Sequence, residues 1–377
     1  MTRRERYLAA LSCRETDRVP IVVRGVDPLH NVAGLPPSGH PSFKPLIEAV
    51  AQKTEWAYRW HPPEEDLLSV APGAKVRSET RSSDKQGFEE RVTVFETPLG
   101  PLESIEYLSP EGKPGMTKKY PIESTDDLEK FLSIPYQFRQ PDTADFFDLQ
   151  KRMGENGLVM ANIGPDPVGH VLKWIGIETL AMWSVNEREN VFRLLDKFFE
   201  RCLLLVEAML AEKVGQVFST LGMEGITPPW FSENDFRDFV TQYDDRLWAP
   251  LRESNCLLHV HCHGSLKRVV DDFIRMGANC LHPVEAPPLG DLELKHAKEI
   301  LSGKICIEGN VQLDDIYSQN EEYIRELVRK AIQDGAPGGG FVLCPTASPI
   351  PPVLEKKVLQ NYLAFIEAGL EYGAGNQ

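Results

Sequence analysis

No stretch of this 377-residue chain is apolar for long enough to cross a bilayer, and the opening MTRRERYLAALSCRETDRVP lacks the apolar core of a secretory signal. The expected location is cytoplasmic. Basic charge is in deficit: 41 Lys and Arg face 56 Asp and Glu, for a formal net charge of −15, and no local basic patch offsets it. Such a surface repels phosphate backbones and anionic lipids, so the expected partners include neither nucleic acid nor membrane. Cysteine is sparse, with an odd seven thiols scattered along the chain, unlike a disulfide framework. Internal repeats, low-complexity tracts and a linker are also missing, which predicts one domain over residues 1–377. No glycine-rich phosphate fingerprint follows the first predicted strand, and this weighs against an open dinucleotide-binding sheet.

What is present is a globular composition, 42% hydrophobic and 26% charged. Thr2 and Glu5 have capping-box spacing, and Tyr7, Leu8 and Leu11 give the opening helix an apolar face. Ile21–Val23 reads as the first buried strand, and Trp56–Trp60 as a weaker one. After Pro135 come short apolar runs at Leu158–Ile163, Gln216–Leu221, Cys256–His263, Cys280–Glu285, Lys304–Ile307 and Phe341–Cys344. Helical spacing separates them, as in Leu266, Val269, Val270, Phe273 and Ile274 before Gly277, and in Ile324, Leu327, Val328, Ala331 and Ile332 before Gly335. Strands alternating with amphipathic helices predict an α/β fold with a parallel sheet, and at this length a (β/α)8 TIM barrel. Residues 88–107, rich in β-branched and aromatic side chains around a Pro-Leu-Gly turn, predict an inserted β-hairpin near the N-terminus.

The run Cys256–His263 carries the chemistry. Side chains alternate along a strand, so His259, His261 and His263 share one face while Leu258, Val260 and Cys262 share the other. The aliphatic face is expected against helices and the histidines inside the barrel, with His263 nearest the C-terminal rim. A His-x-His pair brings two imidazoles within reach of one ion, and Glu285 ends the next predicted strand. His261, His263 and Glu285 thus form a candidate set for a divalent metal, zinc first, with non-haem iron or manganese also suited. The plain alternative makes these histidines hydrogen-bonded core groups and Glu285 an arginine's partner; three histidines on one face beside a carboxylate favour a site. His259, one layer deeper, reads as a supporting group.

Glu224, in the segment GMEGIT after another strand, is a candidate acid/base group, although a surface carboxylate fits equally. Arg24 and Asp27 follow the first strand, where an arginine can pair with a substrate carboxylate; both also suit a structural ion pair. His170 is expected near the rim, beyond the strand that holds Asn162. Cys344 reads as core packing, with Thr346 and Ser348 nearer the rim.

The segments RERYLAALSCRETDRVPI, GMEGITPPWFSENDFRDFV, HCHGSLKRVVDDFIRMGA and CIEGNVQ resemble the uroporphyrinogen decarboxylase-like superfamily. That group includes the decarboxylase of haem synthesis and cobalamin-linked methyltransferases acting on coenzyme M. The resemblance covers nearly the whole chain and implies a (β/α)8 barrel with its active site at the C-terminal face. In the methyltransferase branch it implies zinc held by His-x-Cys and a later Cys. Here His261 matches the His, His263 stands where the Cys is expected, and the later Cys falls at Ala347 or Ser348. Glu285 matches the Glu of the similar cobalamin-independent methionine synthase. The decarboxylase's Arg-rich N-terminal motif has no counterpart beyond Arg24.

The expected function is therefore metal-dependent transfer of a methyl group between a small substrate and a corrinoid protein or folate carrier. His261, His263 and Glu285 would hold the metal, with Glu224 and Asp27 as polar partners. The rival expectation is a decarboxylase of a small carboxylate, with Arg24 as its clamp. A third is a corrinoid or metal carrier without turnover.

Overall fold

In the computed structural model, which describes residues 1–29, 31–32, 40–62, 75–110 and 115–374, the first helix α1 spans Arg3–Leu11 and starts at the predicted capping box. The Thr2 hydroxyl accepts from the Glu5 N–H, and the Glu5 carboxylate accepts from the Thr2 N–H. Its buried face, Tyr7, Ala10 and Leu11, packs with Val22, Leu158, Met160, Val217, Cys280, Cys306 and Val342. Most of these lie early in their strands, so α1 closes the N-terminal end of the sheet.

Seven strands run parallel: β1 (Trp56–Trp60), β6 (Gly157–Pro165), β7 (Val217–Leu221), β8 (Leu257–His261), β9 (Cys280–His282), β10 (Cys306–Val311) and β11 (Phe341–Pro345). Their spatial order follows the sequence, from β1 at one edge to β11 at the other. The run around Ile21 reaches both edges. Val22 N–H donates to the Leu343 carbonyl, Leu343 N–H donates to the Pro20 carbonyl, and Glu55 N–H donates to the Ile21 carbonyl. The sheet is thereby curled as in a TIM-like barrel, with strand C-termini gathered at one face.

In place of a lone hairpin over 88–107, the structure has a four-stranded antiparallel sheet: β2 (Val76–Ser82), β3 (Glu89–Phe95), β4 (Leu102–Leu108) and β5 (Met116–Lys119). The outer strand β2, VRSETRS, is exposed along its whole length. It therefore has none of the apolar alternation by which a strand is read. Outside the parallel sheet, Leu258, Val260 and Cys262 join one large core with Val269, Val270 and Phe273 of the following helical segment. That helix, α4 (Val270–Met276), stops at Gly277 in the left-handed conformation, as its Gly predicts. No described helix is long and apolar enough to cross a membrane.

The closure is locked by a fully buried carboxylate. Glu55 accepts from Arg6 Nη1 at 2.8 Å, Arg18 Nη2 at 2.7 Å and the Ile21 N–H at 2.7 Å. Removing it leaves Arg18 without its carboxylate and Arg6 Nη1 and the Ile21 N–H without an acceptor, while Arg6 keeps its pair with Asp17. Glu55→Ala is expected to lose roughly 3–5 kcal/mol of stability in urea denaturation, since one partner of a buried ion pair is left uncompensated. A variant as stable as wild type would show that the lock contributes nothing.

Candidate active site

The inward row of β8 begins at His259, which is fully buried, continues to His261, and ends past the strand at His263, whose side chain is 36% exposed. The deepest layer is polar. Glu308 of β10 accepts from the Tyr7 hydroxyl at 2.6 Å through Oε2, while its Oε1 lies 3.3 Å from His259 Nε2 and 3.9 Å from Arg59 Nη2. Burial alone would raise the Glu308 carboxyl; its neighbours outweigh that and hold it down at about 2. His259 is itself driven below its usual range, chiefly by burial; its Nε2 lies 3.4 Å from Arg59 Nη2, and Arg59 supplies Glu308 with a countercharge.

Above this layer, His261 and His282 are directly opposed across the β8–β9 ladder. Their Nδ1 atoms are 2.9 Å apart, and His282 Nε2 is 3.1 Å from the Pro345 carbonyl. Burial and the nearby Arg24 lower both imidazoles. At the rim His263 Nδ1 meets Glu285 Oε2 at 3.0 Å, and the Gly264 N–H reaches the same oxygen at 3.4 Å. The His261 and His263 rings meet edge to face at 4.7 Å.

A cavity of about 800 Å³ opens over this rim, and His263, Glu285, Glu224, Thr346, Ala347 and Trp230 are among the residues that line it. Glu224 follows β7 in a short turn, where its Oε2 accepts from the Gly222 N–H at 2.8 Å. His261, Arg24 and Asp27 do not line this cavity. Asp27 is buried and accepts from the Leu29 N–H at 2.9 Å. Arg24 makes no ion pair with it: its Nη1 is buried without a hydrogen-bond partner, and burial with Arg59 close by lowers the guanidinium to about 9. Cys344 is fully buried in the inner core. His170 does not line this cavity; it stacks on Phe198 with centroids 5.3 Å apart, and burial draws it down to about 3.

Tyr7, Arg59, His282 and Glu308 are site residues that sequence reasoning passed over. A polar side chain at every second position of an otherwise apolar strand was the available signal, as in Cys280 and His282 or Cys306 and Glu308. Two buried sets among the described residues have ligand atoms within 4.8 Å of one another: His259, Cys280 and Glu308, and His282, Glu308 and Cys344. His261, His263 and Glu285 do not form such a set. Instead, the structure pairs His263 with Glu285 and His261 with His282.

The family described as uroporphyrinogen decarboxylase (URO-D) matches residues 118–368. In structure the chain is similar to a methyltransferase from Methanosarcina mazei, with a TM-score of 0.64, 17% identity, and 99% of each chain covered. At that identity the likeness speaks for the fold. A glycerophosphoryl diester phosphodiesterase from Parabacteroides distasonis aligns over 98% of this chain and 93% of its own, at 10% identity and a TM-score of 0.30, too low to carry an argument. No curated protein matches the chain in sequence.

Behind the rim lies an acid pair that the sequence did not announce. Asp166 caps the helix α2 (Pro167–Asn186), its Oδ1 accepting from the Gly169 N–H at 2.7 Å, while its Oδ2 and both oxygens of the fully buried Asp244 have no geometric hydrogen-bond partner. Burial first raises both carboxyls; the charge of Glu224 adds to it at Asp166, which rises to about 8, and the charge of Asp166 adds to it at Asp244. The folded state holds protons here that the unfolded chain has already lost above the ordinary carboxylate range. This contribution to stability is complete at low pH and falls as pH rises toward about 8. Urea midpoints measured from pH 5 to 8.5 should show that decline in wild type and a shallower one in Asp244→Asn; equal slopes would contradict the shared burial of protons.

Proposed function

Because the chain belongs to the uroporphyrinogen decarboxylase (URO-D) family, whose relatives are enzymes, we propose that it is a metal-dependent methyltransferase-like enzyme. It would move a methyl group between a small substrate and a corrinoid or folate carrier. One observation carries the reading: His263 commits Nδ1 to Glu285, which leaves its Nε2 for a ligand in the cavity that His263, Glu285 and Glu224 line, with the His261 ring against it. Two imidazoles and a carboxylate fit a catalytic divalent ion, zinc first. The methyltransferase from Methanosarcina mazei, alike in fold over its full length, supports the same reading.

When bound, the ion would lower the pKa of an acceptor or polarise a leaving group. His263 is steadied by Glu285 and the Gly264 N–H, and Glu224 offers a carboxylate to the same cavity as a proton acceptor. Asp27 is proposed as a second polar partner. Ala347 or Ser348 lies where the resemblance places a cysteine, so no thiolate would soften the site. A nitrogen- and oxygen-bound ion is the stronger Lewis acid, which favours a hydroxyl, carboxylate or water over a thiol as the group activated.

Arg24, whose Nη1 is buried without a hydrogen-bond partner among the described residues, supports a second reading, decarboxylation of a small carboxylate, because a substrate carboxylate would supply that partner.

Two measurements separate these readings. Elemental mass spectrometry should find near one zinc per chain in wild type and almost none in His263→Ala, with methyl-transfer activity lost in parallel; metal-free wild type sinks the first mechanism. Under the second, carbon dioxide release from small carboxylates survives chelation, and Arg24→Gln lowers kcat/KM by about 10- to 100-fold, the worth of a charged hydrogen bond. Unchanged kcat/KM in that variant removes Arg24 from substrate binding.

A further inference from the structure

We propose that the rim cavity takes its substrate as an organic cation, a quaternary or N-methylated ammonium, held against the ring of Trp230 in the field of Glu224, Glu285 and Asp314. The inference rests on the reading of this cavity as the substrate site and names the substrate class; it needs no bound metal.

Charge sets the class of ligand. Three carboxylates, Glu224, Glu285 and Asp314, line the cavity, and among the described residues no lysine or arginine does. Glu285 meets the His263 ring and the Gly264 N–H, and Glu224 meets the Gly222 N–H, so neither is spent on a fixed cation. A cleft walled by one sign of charge concentrates ligands of the other sign. A divalent ion at His263 and Glu285 would offset two of these charges and leave the third. An anionic substrate group would meet repulsion at the same mouth.

The sign continues next door. A second cavity of about 440 Å³ shares Pro288, Leu289, Gln312 and Asp314 with the first and adds Glu293 and Asp315. The lysine in its wall, Lys330, is already held by Asp334 at 2.6 Å. Burial, and then the charge of Asp314, raise the Asp315 carboxyl, as negative charge without a counterion does. Both chambers therefore favour a cation, and together they leave room for its body.

Trp230 narrows the class further. It is 77% exposed, so its ring covers no core, yet it lines the cavity. Pro228 and Pro229 precede it, and their fixed φ restricts the backbone that carries the ring. The negative face of an indole attracts a cation. A bare ammonium has N–H groups that hold water, whereas a quaternary ammonium has none and presents methyl groups to apolar walls, here Leu289 and Ile177. Aromatic ring, apolar walls and surrounding carboxylates thus suit a methylated nitrogen better than a free amine.

The test is isothermal titration calorimetry on the full chain, in chelator at neutral pH, with three probes of one shape. These are choline, its uncharged isostere in which a tert-butyl group replaces the trimethylammonium, and the matching tert-butyl carboxylate. Choline should bind about 10-fold more tightly than the isostere, and the carboxylate should not bind. Trp230→Leu keeps an apolar wall without the ring and should weaken choline about 10-fold while leaving the isostere nearly unchanged; Trp230→Phe should restore part of the loss. Asp314→Asn should weaken choline alone, by about 2- to 5-fold. Equal affinity for choline and the isostere overturns the proposal, as does choline binding untouched by Trp230→Leu, or no binding of choline at millimolar concentration. Choline bound by a wild type that holds no zinc removes the metal reading and leaves this one standing; zinc bound without choline does the reverse.

Discussion

A single carboxylate at the centre of the curled sheet sets the terms for the groups around it. Glu308 accepts from the Tyr7 hydroxyl below and lies beside His259 and Arg59. Two guanidinium groups, Arg24 and Arg59, and three imidazoles, His259, His261 and His282, surround it. Charge is expensive in such a place unless it is matched. Burial first, and the two guanidinium groups after it, lower the three imidazoles, and contacts run on from His261 through His282 to the Pro345 carbonyl.

Much of this architecture was legible in the sequence, for definite reasons. The strands are short apolar runs with caps and glycines at their ends, and period-two alternation placed Leu258, Val260 and Cys262 against helices and His263 nearest the rim. The buried apolar run Ile21–Val23, expected as a first strand, forms a single parallel bridge from Ile21 to Leu343. Other parts left no such trace. Glu308 follows directly after the apolar run Lys304–Ile307, and a reading that stops where hydrophobicity stops misses it. Arg59, in the mixed segment WAYRW, is only partly buried and shows no clear period. Glu285 was placed at the correct end of its strand, yet which imidazole it would meet depends on how β8 and β9 align. That register pairs His261 with His282 and leaves His263, two residues further, to the carboxylate.

The departure from His-x-Cys also fits the local electrostatics. A thiolate at position 263 would place a second anion beside Glu285, a carboxylate already 4% exposed. A histidine instead brings a ring nitrogen within 3.0 Å of that carboxylate and adds no anion. The substitution thus exchanges a soft anionic donor for a neutral one whose orientation is held by a neighbour.

The same charges decide between the places where a divalent ion might be held. The two buried sets built on Glu308 contain suitable atom types, but Arg59 already compensates that carboxylate, Arg24 adds an unmatched positive charge nearby, and both nitrogens of His282 are occupied. A cation entering there would meet repulsion at short range in a poorly screened medium. At the rim the balance is reversed: Glu285 and Glu224 face the cavity, and the nearest imidazoles have spare nitrogens. The interior favours an anion and the rim a cation. On the proposed reading, the charge pattern therefore accommodates a cation better at the C-terminal face than in the depth of the barrel.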